Sequence, residues 1–241
     1  YEYPEIASSI VVNQLHQNTH NDYLRVVEAL RNNVNSHGDP APLVSASFLQ
    51  FVRENQEASN QMLDYSRDYS NQYFGFRTLE KSYLKKTSCG KIVERPQHFF
   101  MRVAISFHYR MEKSYANRDF PLNVPLNKKE CLEKIRTVYN RFSQGYFTHA
   151  TPTLFNAGSC FEQDSSCFLF GCGDDMHAIG KCWKDAAVIS KHSGGIGIHL
   201  SNIRCNGAYI ASTGGRASGM RLLKVFNEIA QYADQGGKRA G

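Results

Sequence analysis

Hydrophobic and polar positions follow a helical period from the start of the chain through Ser143. Tyr23, Val26, Val27 and Leu30 stand at i, i+3, i+4 and i+7 behind Asn21-Asp22, the pattern of an amphipathic helix with a polar start signal. Ile6, Ile10 and Leu15 give a rougher version of the same stripe before it. Ser47 is the expected cap of a helix carrying Phe48, Phe51 and Val52. Pro96 sits where a first-turn proline belongs, and Phe100, Val103, Ala104 and Phe107 then mark a buried face. Leu132, Ile135, Tyr139 and Phe142 register in a further helix. Loops are expected over Asn32–Pro42 and Asn117–Asn127, which are polar and carry prolines. The aromatic cluster Tyr65, Tyr69, Tyr73, Phe74 and Phe76 reads as core between helices, because no basic groove interleaves it to make a platform for bases.

After Gly145 the pattern changes to strands alternating with helices. Gly145 to Phe170 reads as loop, turn, loop, strand, which places Ser165, Ser166 and Cys167 at the mouth of a strand over Cys167–Phe170, where a scaffold presents small polar groups to a ligand. Asp174-Asp175 open a helix striped by Ile179, Cys182, Trp183 and Ala186, and Ile196–Leu200 is a second strand. Leu222, Leu223, Phe226, Ile229, Ala230 and Ala233 form the strongest amphipathic pattern in the chain. Strand, helix, strand is the unit of an α/β sheet or barrel. The expected class is therefore mixed α/β, a helical first part followed by the opening of an α/β domain, with the boundary near Ser143.

Composition narrows the function classes. The 241 residues are 41% hydrophobic, enough for a real core. No apolar run approaches the roughly 18 to 20 residues of a membrane helix, and the longest, near Phe99–Phe107, is cut by Arg102. No signal peptide is recognisable; the opening Tyr1-Glu2-Tyr3-Pro4 and the Gly-rich end at Gly241 lead to the expectation of an excerpt from a longer protein. Seven cysteines, an odd number without a secretory signal, favour reduced thiols in a cytoplasmic setting over a disulfide framework. Cys160, Cys167, Cys172 and Cys182 suggest a zinc set only weakly, since no CxxC pair is present, and no metal is expected. The net charge of +6 is spread over scattered Lys and Arg, so a solvated surface is expected and neither nucleic acid nor membrane is called as a partner.

Some motifs bear chemistry. Ser193-Gly194-Gly195-Ile196-Gly197 follows a helix and precedes a strand, the reverse of a dinucleotide fingerprint. It reads as a helix C-cap and tight turn whose second glycine lets backbone amides approach a phosphate. Asp174-Asp175 is either a helix N-cap pair or an acceptor for ribose hydroxyls, and with Lys191 and Arg204 it makes a minimal kit for a nucleoside triphosphate. Cys167 is a candidate reactive thiol at the strand mouth. His149, beside an aromatic residue, is more simply structural than a general base.

Several strings resemble the class I ribonucleotide reductase large subunit: Tyr73-Phe74-Gly75-Phe76-Arg77-Thr78-Leu79-Glu80, Glu94-Arg95-Pro96-Gln97-His98, Thr148 to Gly158, Ser165-Ser166-Cys167-Phe168-Leu169, Ile189-Ser190-Lys191 with Gly194-Gly195-Ile196-Gly197, and Asp234-Gln235-Gly236-Gly237-Lys238-Arg239. The resemblance runs in order over essentially the whole chain. It implies the end of an ATP-cone region over residues 1–33, a helical N-terminal domain over 34–143 and the first strands of a ten-stranded α/β barrel over 144–241. It implies that Cys167 is one of a redox-active cysteine pair whose partner lies beyond residue 241. Thr151 and Ser166, with backbone at Gly194 and Gly195, fall on positions that hold the substrate diphosphate and ribose. Asp175, Met176, His177, Lys191, Arg204, Ala211 and Ser212 fall on the site for the deoxynucleotide specificity effector at a dimer interface. Gly236–Gly241 looks like the loop that relays effector identity to substrate choice.

The implied activity is reduction of ribonucleoside diphosphates to deoxyribonucleoside diphosphates, with dNTP and ATP effectors and a homodimer of large subunits. No cofactor is bound directly; the radical comes from a metal-containing small subunit, and thioredoxin or glutaredoxin is the external reductant. This stretch alone lacks the radical cysteine, so it is not expected to turn over. Asp175-Met176-His177 departs from the family's usual Asp-Ser-Ile, Ser212 replaces a usual glycine, and one residue is missing between Gly237 and Lys238. These departures motivate an alternative reading, a non-catalytic relative serving nucleotide sensing or protein association.

Overall fold

The computed structural model describes residues 3–109, 128–191 and 194–233; the loop expected over Asn117–Asn127, Ser193 and the Gly236–Gly241 loop lie outside them. The chain divides into two compact units, Tyr1–Asp164 and Ser165–Gly241.

The first unit is helical. Its elements are α1 (Pro4–Asn18), α2 (Tyr23–Arg31), α3 (Ala46–Glu54), α4 (Gln56–Met62), a 3-10 turn at Tyr65–Ser70, α5 (Tyr73–Thr78) running into a π turn at Leu79–Tyr83, α6 (Pro96–His108), α7 (Lys128–Ser143) and α8 (Thr151–Asn156). The α2 stripe is buried as its period predicts, and the Asp22 side chain accepts from the Arg25 amide at 3.2 Å, closing the first turn. On α3 the cap is Ser45, not Ser47: its hydroxyl accepts from the Phe48 amide at 3.2 Å, while Ser47 is already inside the helix. On α1 the buried face is Ser8, Val12 and Leu15, and the expected Ile6 and Ile10 point outward. The helix is apolar on two sides, so periodicity alone selects the wrong one. The aromatic cluster is likewise split, with Phe76 fully buried and Phe74 82% exposed.

Helix α6 is the axis of this unit. Every residue from Pro96 to Ser106 is buried, whereas Phe107, expected inside, is partly exposed. A helix enclosed on all sides should be apolar all round, yet α6 carries Gln97, His98 and Arg102, and each is satisfied. Arg102 Nε and Nη2 donate to the two carboxylate oxygens of Glu94 at 2.6 and 3.2 Å, and both side chains are 1% exposed. Arg102 also donates to the carbonyls of Ala157 at 2.6 Å and Leu154 at 3.3 Å, and Lys85 Nζ donates to that of Phe155 at 2.9 Å. Three carbonyls at the end of α8 are thus held by cations. Next to them Gly158 has φ +75°, a conformation that favours glycine, and a Cβ there would lie 3.0 Å from Phe48 and 3.1 Å from Arg102, a tight fit.

A second buried polar group links α6 to its neighbours. Gln97 donates to Asp68 at 2.9 Å, Tyr139 donates to Gln97 at 2.6 Å, and Asp68 faces His16 at 2.7 Å. His98 Nδ1 accepts from the Arg95 amide at 3.2 Å, which leaves Nε2 carrying the proton toward the Tyr65 oxygen at 2.7 Å. Burial, and then the charges of Arg95 and His16, push the His98 pKa down to about 3.

Correction is also needed where the sequence reads as loop and turn. Thr151–Asn156 is the short helix α8, with Pro152 in its first turn, where a missing amide hydrogen costs nothing.

The second unit is strand, helix, strand. β1 (Cys167–Gly171) and β2 (Gly195–His199) pair in parallel, Cys167 opposite Gly195 and Gly171 opposite His199, with α9 (Met176–Lys191) as the connection. A small hairpin follows, β3 (Tyr209–Ile210) against β4 (Gly215–Arg216), and then α10 (Gly219–Ala233). Cys172, Cys182, Ala186 and Phe226 form the buried centre, flanked by Phe170, Ile196, Ile198 and Leu222. Leu223, expected on the buried stripe of α10, is 48% exposed. Among the described residues no helix is long and apolar enough to cross a membrane.

The buried networks differ in consequence from an exposed ion pair. Arg102→Met strands the Glu94 carboxylate in the core and should cost about 3–5 kcal/mol of unfolding free energy in a denaturant titration. Arg53→Met, which removes only the exposed pair with Glu28, should cost less than about 1 kcal/mol. Because the folded His98 pKa of about 3 lies below the ordinary 6.5, the unfolded chain takes up the proton first. Its contribution is therefore full above that ordinary value and is lost as pH falls toward the folded one. Urea titrations across that window should show a steeper loss of stability in the native protein than in His98→Gln.

Candidate functional site

Two features of the second unit come from the same strand-helix-strand frame, one at the start of β1 and one beyond its end. At the start, Cys167 is the exposed first residue of β1, a free thiol. The half-buried Ser166 precedes it, and its carbonyl accepts from the Gly195 amide at 2.9 Å. The Gly194 amide donates to the carbonyl of Ile189 at 3.1 Å, which closes the end of α9 as the C-cap reading predicts. The glycines also fit where a side chain would crowd its neighbours. A Cβ on Gly194 would stand 2.7 Å from Ile189 and 2.9 Å from Phe168, and one on Gly195 would stand 3.0 Å from the Ser166 carbonyl oxygen. Cys167, Ser166, Gly194 and Gly195 are thus brought together. Thr151, also expected to contact substrate, is the half-buried first residue of α8 in the first unit.

Beyond the C-terminal end of β1 lies a cavity of about 650 Å³, within the usual range of roughly 300–1,000 Å³ for small-molecule sites. Its polar lining is Asp174, Asp175, Arg204, Ser212 and Ser218, and its apolar lining includes Met176, Ile179, Ile203, Ile210 and Leu222. The Asp175 carboxylate accepts from the Ala178 amide at 2.9 Å and so caps α9. Arg204 Nε donates to the Asp174 carboxylate at 2.7 Å, and a second guanidinium nitrogen donates to the Asp174 carbonyl at 3.1 Å. The Arg204 side chain is 36% exposed, so its guanidinium is oriented yet open to a further anion.

Of the residues assigned to effector binding, Asp175, Met176, Arg204, Ala211 and Ser212 line this cavity. His177 and Lys191, both exposed, do not. Sequence reasoning missed its apolar half. Ile179 and Leu222 carried only a helix-core signal, while Ile203 sits in a loop and Ile210 in the two-residue strand β3, too short to show a period. The cavity is therefore a mixed surface, able to hold an apolar ring system against isoleucines and charged or hydroxyl groups against Arg204 and the two aspartates.

His149 is packed among rings, stacked on Phe107 at 4.9 Å between centroids and edge-on to Phe142 at 5.2 Å. Burial lowers its pKa, and the surroundings suit the structural role. Among the described residues no three or more His, Cys, Asp or Glu side chains come together to hold a metal ion.

Comparison with known proteins bears on both features. The family model of the ribonucleotide reductase all-alpha domain matches residues 69–162, and that of the ribonucleotide reductase barrel domain matches residues 165–241. The large subunit of ribonucleoside-diphosphate reductase from Acanthamoeba polyphaga mimivirus is 52% identical over 241 residues, covering all of this chain and 25% of that relative. Large chain 2 of the Saccharomyces cerevisiae enzyme is 40% identical over 244 residues, covering all of this chain and 26% of the relative. The Vaccinia virus large subunit is 41% identical, again over all of this chain and 29% of the relative. The chain thus spans about a quarter of the length of the curated relatives it matches. With an all-alpha part that leads into the start of the reductase barrel domain, the chain belongs to the ribonucleotide reductase large-subunit family.

Proposed function

We propose that the protein containing this chain reduces ribonucleoside diphosphates to deoxyribonucleoside diphosphates, and that this stretch supplies one thiol of the reductant and the pocket for a nucleotide effector. The observation that carries the reading is Cys167, an exposed free thiol on the first residue of β1, opposite Gly195 and beside a turn where a side chain in place of Gly194 or Gly195 would crowd its neighbours. Relatives named as ribonucleoside-diphosphate reductase large subunits support it. In this reading a radical supplied through a metal-containing small subunit activates the substrate at the ribose 3′ carbon. Ser166 and the backbone around Gly194 and Gly195 hold the diphosphate and ribose. The 2′ hydroxyl leaves as water, and the two electrons come from Cys167 and a second cysteine beyond residue 241, which become a disulfide. Thioredoxin or glutaredoxin then restores the thiols, a cycle consistent with a cytoplasmic protein.

The cavity fits a deoxynucleoside triphosphate or ATP. Arg204 meets phosphate, Asp175 is placed for a ribose hydroxyl, and the isoleucines face the base. Its position beside the exposed face of α10 suits a homodimer in which a second large subunit covers the site. Met176 in place of a small polar residue makes this wall more apolar and predicts an effector preference different from that of relatives with Asp-Ser-Ile.

In the complete protein, Cys167→Ser should abolish multiple turnover of ribonucleoside diphosphate in a product-formation assay, while effector binding persists. Retention of full turnover would sink the assignment. Arg204→Ala should weaken dNTP binding by about tenfold to a hundredfold in equilibrium binding with little change in Cys167 reactivity. Unchanged affinity would exclude the cavity as the effector site.

A further inference from the structure

Of the cysteines other than Cys167, two are buried together in the second unit. Cys172 directly follows β1 and is fully buried; Cys182 lies on α9 and is 6% exposed. They belong to the same four-residue buried centre, with Ala186 and Phe226. The Cys182 thiol points at the carbonyl of Gly171, at 3.5 Å, the residue next to Cys172. The Cys172 thiol turns to the carbonyl on its other side, that of Gly173, at 3.6 Å. Both are free thiols. Between them in sequence lie Asp174, Asp175, Met176 and Ile179, which make one wall of the cavity. This wall is already tightly folded, since a Cβ on Gly173 would stand 3.0 Å from Ala178.

We propose that Cys172 and Cys182 form a reversible disulfide when the protein meets hydrogen peroxide, and that this bond staples the cavity wall between the end of β1 and α9. Peroxide oxidises one thiol to a sulfenic acid, its O–O bond breaking and one water leaving. The second thiol attacks that sulfur, the S–S bond forms and a second water leaves. In sum two thiols lose two protons and two electrons to one peroxide, which becomes two waters. A dithiol reductant reverses the step by exchange.

The setting explains why the pair stays reduced under mild conditions. Burial, with the neighbouring Cys182 adding to it, pushes the Cys172 thiol up to about 11, so little thiolate is present at neutral pH. Oxidation therefore needs strong exposure to peroxide or local opening of the centre. Once formed, the bond closes a short loop and removes freedom from the wall that carries Asp175 and Met176.

The test uses the complete protein, treated with hydrogen peroxide under native conditions, alkylated and digested without reductant. The expected product is a Cys172–Cys182 linked peptide lacking two hydrogens. Amide hydrogen exchange across residues 174–181 should slow in the same sample, and dithiothreitol should restore both. Recovery of Cys172 and Cys182 as alkylated thiols or as separate sulfinic acids, while exposed cysteines such as Cys167 are oxidised, would overturn the proposal. So would a linked peptide without slowed exchange over 174–181, since the staple would then restrain nothing. Cys172→Ser should lose the linked peptide; the mapping on the unsubstituted protein stands even if that variant folds poorly. Neither readout uses a nucleotide, so the result is independent of what the cavity binds.

Discussion

The buried contact between Arg102 and Glu94 decides more of the first unit than any apolar cluster. A helix as short as α8 cannot persist on its own hydrogen bonds. It exists because Arg102 and Lys85 take up the carbonyls of Leu154, Phe155 and Ala157 at its end. Glu94 in turn balances the guanidinium and accepts from the Lys85 amide at 2.9 Å. One carboxylate thereby fixes α6, the strand-like approach to it and α8 together. The core around them fills space, but the ionic contact sets which segments meet.

In the second unit the corresponding constraint is steric. The parallel pairing of β1 and β2 brings Phe168 against the α9 terminus so closely that Gly194 has no room for a side chain. The same crossover leaves Asp175 at the head of α9, where its carboxylate is used as a cap, and Asp174 free to orient Arg204. A polar pair that seems redundant in sequence is thus divided, Asp175 closing the first turn of α9 and Asp174 holding the Arg204 guanidinium in place.

What was legible in the sequence follows from these causes. The α2 stripe is one-sided, so Tyr23, Val26, Val27 and Leu30 were readable from spacing alone. Strand, helix and strand after Cys167 were readable because apolar runs change period there. Arg102 was not, since a charge in an apolar run reads as an interruption, and only the distant Glu94 and the carbonyls of α8 make it a core residue. Helix α8 was hidden because Thr-Pro-Thr has the composition of a turn. For the cavity, Asp175 and Arg204 had a chemical signal, and Ala211 and Ser212 were reachable only through the family resemblance. Ile203 and Ile210 had neither, because their role depends on which loops the fold brings side by side. Ile6 and Ile10 show the opposite failure, a valid period on the outward face.

The hairpin of β3 and β4 contributes Ile210 to the cavity and carries Ala211 and Ser212 in its turn. It consists of two residue pairs, and a two-stranded ribbon that small is marginal by itself in water. If the ribbon is complete in only part of the free population, the apparent dissociation constant of anything bound there equals the intrinsic one divided by that fraction. Two ligands that make equal contacts with the aspartates and Arg204 will still differ in affinity if one orders the ribbon better. A cavity walled in this way would then discriminate by which ligand completes the wall, as well as by which groups it touches.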